Sequence, residues 1–303
     1  MGLLRDIQTE IETRSLIGGG WSSGKRGPAA IETTSYALMA LAEDQEPVRR
    51  KAIDALLRTQ NPDGSWPAFE GDDQEGCWTT SLALIALSSS GFSARRIERA
   101  GKWLLDNKGR EGHWFWKWKF RTVDRAVQFN PDKYGWPWFP ETVSWVIPTA
   151  FALIALKQSL HCCGTKGAIN RIQIGTEMLR DRACPQGGWN AGNGIVFGSA
   201  LIPHVDTTAI ALLALAQEGT QPPPREGLNW LRGACAECSS AYSPAWASVA
   251  LQVHRDPATA LCIERLKGSL WSWWPTLNVE TLSLAAIAIN VVESNADPFR
   301  VLI

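Results

Sequence analysis

The sequence predicts an all-α protein: a closed ring of helical hairpins, with buried helices inside and amphipathic helices outside. Three observations predict it. An Ala- and Leu-rich segment recurs six times, charged amphipathic segments fall between the copies, and glycine turns followed by tryptophan mark the links.

The copies are IETTSYALMAL from Ile31, CWTTSLALIAL from Cys77, VIPTAFALIAL from Val146 and VDTTAIALLAL from Val205. AYSPAWASVAL from Ala241 and VETLSLAAIAI from Val279 are weaker copies. Each is apolar all round with no internal glycine, the pattern of a helix buried on every side. Their alanines let neighbouring helices approach closely. Inner helices are expected to start near residues 31, 78, 147, 206, 243 and 280.

Between the copies, VRRKAIDALLRTQ (48–60), ARRIERAGKWLLDN (94–107) and KGAINRIQIGTEMLRDRA (166–183) carry charge on one face. These predict outer helices with one side in water. Closing the ring buries the apolar ends that an open solenoid must cap. In the links GGGW, QNPDGSW, EGHW and QGGW, the glycine ends the outer helix or turns the chain. The tryptophan that follows is expected to wedge between adjacent hairpins. Residues 1–303 read as one such domain, with a Trp-rich insertion at about 108–145.

Thirty basic residues balance thirty acidic ones, and no basic run forms an arm, so a nucleic-acid partner is not expected. Sixteen Trp stand against three Tyr and three Met, which points to ring-lined contacts. MGLLRDIQTEIETRSL lacks the apolar stretch of a signal peptide. No apolar run reaches the roughly 20 residues of a spanning helix. A cytoplasmic chain is expected. Seven Cys, an odd number, predict free thiols rather than a disulfide framework. CAEC and HCCG lack a partner pair to complete a tetrahedral site, so no metal is expected. No Walker loop or Gly-x-Ser-x-Gly elbow appears, and no cofactor is expected.

QNPDGSW resembles the Gln-x-x-x-Gly-x-Trp repeat of squalene cyclases and related class II terpene cyclases. The Thr-Thr-x-x-Ala-Leu-x-Ala-Leu helices are similar to the same superfamily, which includes the β subunits of protein prenyltransferases. The resemblance spans nearly the whole chain and implies an (α/α)6 toroid with a central cavity. It also implies an apolar isoprenoid ligand and protonation-initiated cyclisation. The zinc-binding Asp-x-Cys of the prenyltransferases is absent, and Asp72–Asp73 lacks the second acidic end of the class I magnesium motif.

Two residues before the second Thr of each copy stand Glu32, Trp78, Ile147, Asp206, Tyr242 and Glu280. In a closed ring these share one level, near the N-termini of the inner helices. Three carboxylates and two aromatics then face one end of the cavity, or the acids serve the helix dipoles. PHVDTTAIALLAL resembles the Asp-x-Asp-Asp-Thr-Ala motif of class II cyclases, whose middle Asp protonates an alkene or epoxide. That Asp corresponds to Asp206. His204 and Thr207 stand where the motif has its other acids. The candidate acid–base residues are therefore Asp206, His204, Glu32 and Glu280, with Trp78 and Tyr242 as aromatic walls for a cation.

The insertion adds Trp138 and Trp145, together with Trp116 and Trp118, which alternate with Lys117 and Lys119 at a strand-like period of two. Such a segment serves as an entrance or lid, a membrane-resting surface, or a clasp over one mouth. ACPQGGWNAGNGIVFG (183–198) adds Trp189, Asn190 and Asn193, either against a ligand or in a tight turn. Three readings follow: a terpene cyclase, a non-catalytic isoprenoid-binding toroid, and a carbohydrate-active enzyme using the ring carboxylates.

Overall fold

A computed structural model describes residues 2–91, 94–123, 129–160, 166–218 and 221–301. Within them lie thirteen α-helices and one short β-hairpin, Ile195–Val196 with Ser199–Ala200. The Ala-rich copies are α2 (Ile31–Ala40), α4 (Thr79–Ser89), α7 (Val146–Gln158), α9 (Val205–Ala214), α11 (Tyr242–Val253) and α13 (Val279–Ser294). Each begins within one residue of its expected start.

The outer helices are α1 (Leu3–Thr13), α3 (Glu46–Thr59), α5 (Ala94–Asp106), α8 (Lys166–Asp181), α10 (Pro224–Cys235) and α12 (Thr259–Trp273). The remaining helix, α6 (Trp114–Thr122), lies in the insertion. Inner helices pack in chain order, and α13 packs back on α2. The ring is closed, and one apolar core runs through it. The fold is an (α/α)6 toroid.

Four tryptophans join its hairpins by one repeated device. Trp21, Trp66, Trp136 and Trp189 are fully buried. Their indole N–H groups donate to the carbonyls of Ile11, Leu56, Leu104 and Leu179 at 2.6–2.7 Å. Those carbonyls belong to the last turns of α1, α3, α5 and α8, where a helix leaves its C=O groups without internal partners. The backbone N–H of each tryptophan donates to Thr34, Thr80, Thr149 or Thr208 Oγ1 of the next inner helix, at 2.9–3.0 Å. One residue thus ties the end of an outer helix to the start of an inner one.

The third copy of this device is Tyr134-Gly135-Trp136, not EGHW, whose Trp114 is 82% exposed. Gly135 is required there because a Cβ would stand 2.0 Å from Thr149 Oγ1. Among the described residues the last two hairpins show no such tryptophan tie. Instead Cys235 of α10 and Cys262 of α12 are joined, with Cα atoms 6.1 Å apart, a span a disulfide bridges. This corrects the expectation of free thiols, which holds for Cys77, Cys184 and Cys238. Cys162 and Cys163 of HCCG lie outside the described residues. Thr80→Val is expected to destabilise the fold by about 1–3 kcal/mol, because the buried Trp66 N–H loses its acceptor. Urea denaturation measures it, and an unchanged midpoint would contradict the role given to this threonine.

Candidate functional site at the carboxylate mouth

Outer and inner helices alternate, so every outer-to-inner connection runs at the mouth where the inner helices begin. All six of the aligned positions are half-buried, whereas nearly every residue beneath them in the helices is buried. They form one level facing that mouth. Around the ring the order is Asp206 on α9, Tyr242 on α11, Glu280 on α13, Glu32 on α2, Trp78 before α4 and Ile147 on α7.

Glu32 and Glu280 meet. Their carboxyls share a hydrogen bond that favours the proton on Glu32 and the charge on Glu280. Burial first, then the Glu280 charge, then that hydrogen bond push Glu32 from 4.5 up to about 8. Burial also raises Glu280, while the bond from Glu32 opposes the rise. Neither acid caps a helix through its side chain. Burial, and after it the neighbouring tyrosine and carboxylates, hold the Tyr36 phenol well above its usual range. Tyr242 is likewise raised, first by burial and also by the charges of Glu280, Glu32 and Asp206. Asp206 faces the same mouth but makes no hydrogen bond to a described residue, and Tyr242 on α11 stands between it and the glutamate pair.

The aromatic wall is continuous. Trp78 meets Trp138 edge-on with ring centroids 4.9 Å apart, and Phe151 lies 5.9 Å away. The Trp78 N–H donates to the Trp138 carbonyl, so the insertion is pinned to the ring at this point. One turn deeper, four residues on in each helix, lie Tyr36, Leu82, Phe151, Ile210, Trp246 and Leu284, all buried. Tyr36 and Phe151 each stand 5.8 Å from Trp246. The expected central cavity is therefore shallow at this mouth, with an aromatic floor directly under the carboxylates. Tyr36, Phe151 and Trp246 are site residues the sequence analysis missed; adding four to each aligned position finds all of them.

Other candidates fall outside the site. Trp189 is a hairpin tie and is wholly buried. Asn190 is buried and spends its amide on its own turn, donating to the Asn193 carbonyl and accepting from Gly192 N–H. Segment 183–198 is thus a turn built by short-range bonds, and Asn193 belongs to it. Trp145 is half-buried, with its N–H on the Trp136 carbonyl and its ring against Gly192. His204 is exposed, before the first turn of α9, and does not bond Asp206.

The strand-like reading of Trp116 and Trp118 is also corrected, because they lie on α6. There Trp116 pairs with Phe120, and Lys117 and Arg121 both reach Asp132, all at helical spacing. The base of the insertion is held by Glu111, which is buried and accepts the Ser144 N–H, and by Gly109 N–H on the Gly135 carbonyl. Ile17, Trp114, Trp118, Phe139, Phe197 and Ile202 leave large apolar surfaces exposed. All six lie on connections at the carboxylate mouth. Among the described residues no helix is long and apolar enough to cross a membrane.

No protein-family model and no curated protein sequence matches the chain. Solved structures share its fold. The type II terpene cyclase MstE from Scytonema superposes with a TM-score of 0.61 at 14% identity, over 95% of this chain and 97% of that one. A variant of MstE in complex with geranylgeranyl dihydroxybenzoate, its substrate, superposes at 0.59 and 14% identity, over 98% and 97%. An inactive variant of the α-1,6-mannanase GH76A of Salegentibacter superposes at 0.57 and 9% identity, over 94% and 96%. The protein shares the (α/α)6 toroid with these structures, a scaffold found in a terpene cyclase and in a glycoside-cleaving enzyme alike.

Proposed function

We propose that the protein is a class II-like terpene cyclase acting on an isoprenoid chain, with Glu32 as the proton donor and Glu280 as its hydrogen-bonded partner. The observation that carries this reading is the pair of half-buried carboxyls, Glu32 and Glu280, set together over aromatic side chains, where burial first and then Glu280 push Glu32 up to about 8. A carboxyl with a pKa of about 8 is loaded but is a weak donor. It therefore suits a lone-pair oxygen, such as that of an epoxide, better than a bare alkene. The proton passes from Glu32 to that oxygen, the C–O bond breaks, an internal alkene attacks the resulting cation, and the last cation loses a proton to water or to a carboxylate of the pair. Trp78, Trp138, Tyr36 and Tyr242 offer ring faces that attract the migrating positive charge. Asp206, marked by the motif resemblance, is the rival donor.

The glutamate pair itself does not suit glycoside hydrolysis, because hydrogen-bonded carboxyls are closer than the roughly 5–10 Å that chemistry uses. A second reading, an apolar-ligand binder without chemistry, is favoured by the filled layer beneath the acids and by His204 and Thr207 in place of motif acids. Gas chromatography of organic extracts, after incubation with geranylgeranyl and epoxidised prenyl substrates, separates the two. Cyclised product supports the enzyme; bound but unchanged ligand establishes the binder.

The exposed apolar collar supports loading of such a ligand from a bilayer surface, with the protein resting peripherally on the membrane. Replacing Trp114 and Trp118 together by Ser is expected to reduce co-sedimentation with phosphatidylcholine vesicles several-fold, since Trp anchors at headgroup level. Equal sedimentation of both proteins would remove the collar from the account.

A further inference from the structure

Beyond α13 the chain turns at Asn295, which adopts φ 58°, and residues 295–301 fold back beneath the ring. Inner helices hold this segment. Gln252 of α11 donates to Asn295 Oδ1 at 2.9 Å. Gln158 of α7 donates to the Pro298 and Arg300 carbonyls at 2.7 and 3.1 Å. Asp297 Oδ1 accepts the Phe299 N–H at 2.9 Å, which fixes the turn that aims the phenyl ring.

That ring is buried against inner helices α7 and α11. It lies 5.3 Å from the Trp246 ring and 6.4 Å from Phe151. Trp246 in turn meets Tyr36, one turn below Glu32. A chain of ring contacts Tyr36–Trp246–Phe299 therefore links the layer beneath the acids to the segment folded back from the far mouth. At that mouth lies a cavity of about 1070 Å³ whose lining includes Leu38, Met39, Gln158, Asp297 and Pro298. Phe299 is the one member of these ring contacts that no ring helix supplies. Trp246 and Phe151 are fully buried, and Phe299 packs against both. Without it, a void the size of a phenyl ring opens beneath both.

We propose that Phe299 is the specificity-determining floor of the ligand site, backing Trp246 and Phe151 and so setting the longest apolar chain that fits over the acids. This rests on the reading of the site as one for isoprenoid chains, and it concerns binding, so its test does not depend on turnover. Intrinsic tryptophan fluorescence of the full chain would be titrated with geraniol, farnesol, geranylgeraniol and squalene.

Wild type is expected to gain affinity with length up to a cutoff. Phe299→Ala is expected to bind the first chain beyond that cutoff at least about tenfold more tightly, with shorter chains little changed, since one isoprene unit buries several carbons. Phe299→Leu, which keeps most of the volume, is expected to shift affinity in the same direction by a smaller factor, and it decides the matter if the Ala variant does not fold. Folded variants that bind with an unchanged cutoff would overturn the role of Phe299 alone. Binding of none of the four ligands by wild type would overturn the isoprenoid reading and this inference with it.

Discussion

Glu32→Gln is expected to lower the rate of cyclised-product formation by about 10²–10⁴-fold, the range general acid catalysis supplies. Gln keeps the shape of Glu32 and can still donate a hydrogen bond to Glu280, but it has no proton to transfer. Ligand affinity should therefore change little. Asp206→Asn should retain most of the activity if the pair is the donor, and should lose it if the motif acid is. In wild type, product formation should fall as pH rises through about 8, where Glu32 loses its proton.

Stability follows the same group. The folded pKa of Glu32 lies above its unfolded 4.5, so its contribution is complete below about 4.5 and is lost as pH rises through about 8. Wild type should melt at progressively lower temperature from pH 5 to pH 9, and Glu32→Gln should flatten that dependence. An identical slope in both proteins, by calorimetry, would place the sensitive group elsewhere.

Trp66→Ala is expected to produce a large loss of stability, about 3–5 kcal/mol for the lost apolar burial and the cavity together. The loss arises in two ways. The indole fills the joint between hairpins with none of its surface exposed, and its N–H is the partner of the Leu56 carbonyl at 2.6 Å. Removing it leaves a void and takes from the Leu56 carbonyl its shorter partner, leaving only the Thr59 hydroxyl at 3.1 Å, which adds to the cost. Phe at position 66 should recover most of the packing and none of the hydrogen bond. Chemical denaturation of the three proteins measures both parts. A cost below about 1 kcal/mol for Ala would contradict the view that these tryptophans tie the ring together.

The architecture was legible because buried helices that repeat must look alike: Ala for close approach, Leu for filling, Thr to receive the tryptophan N–H. That similarity places every inner helix within one residue and puts Glu32 and Glu280 at one level. What could not be read was azimuth and depth. The aligned level shows three acids at one height, but only the ring order brings Glu280 beside Glu32 and sets Tyr242 between the pair and Asp206. Trp189 looked like a ligand contact because a glycine turn before an aromatic looks the same whether the ring faces a cavity or a helix end. Phe299 left no signal, since it packs on the inner helices from outside the repeat. The Cys235–Cys262 pairing was hidden for a similar reason, joining outer helices whose sequences do not repeat.

Carboxyl ¹³C NMR of uniformly Glu-labelled protein, titrated from pH 4 to pH 10, tests the central claim most directly. The account predicts one glutamate resonance that titrates near pH 8, is absent in Glu32→Gln, and moves to lower pH in Glu280→Gln while staying above 4.5 because burial persists. If every glutamate titrates within the ordinary range of about 4–5, the mouth holds no stored proton, and the proposed donor is contradicted.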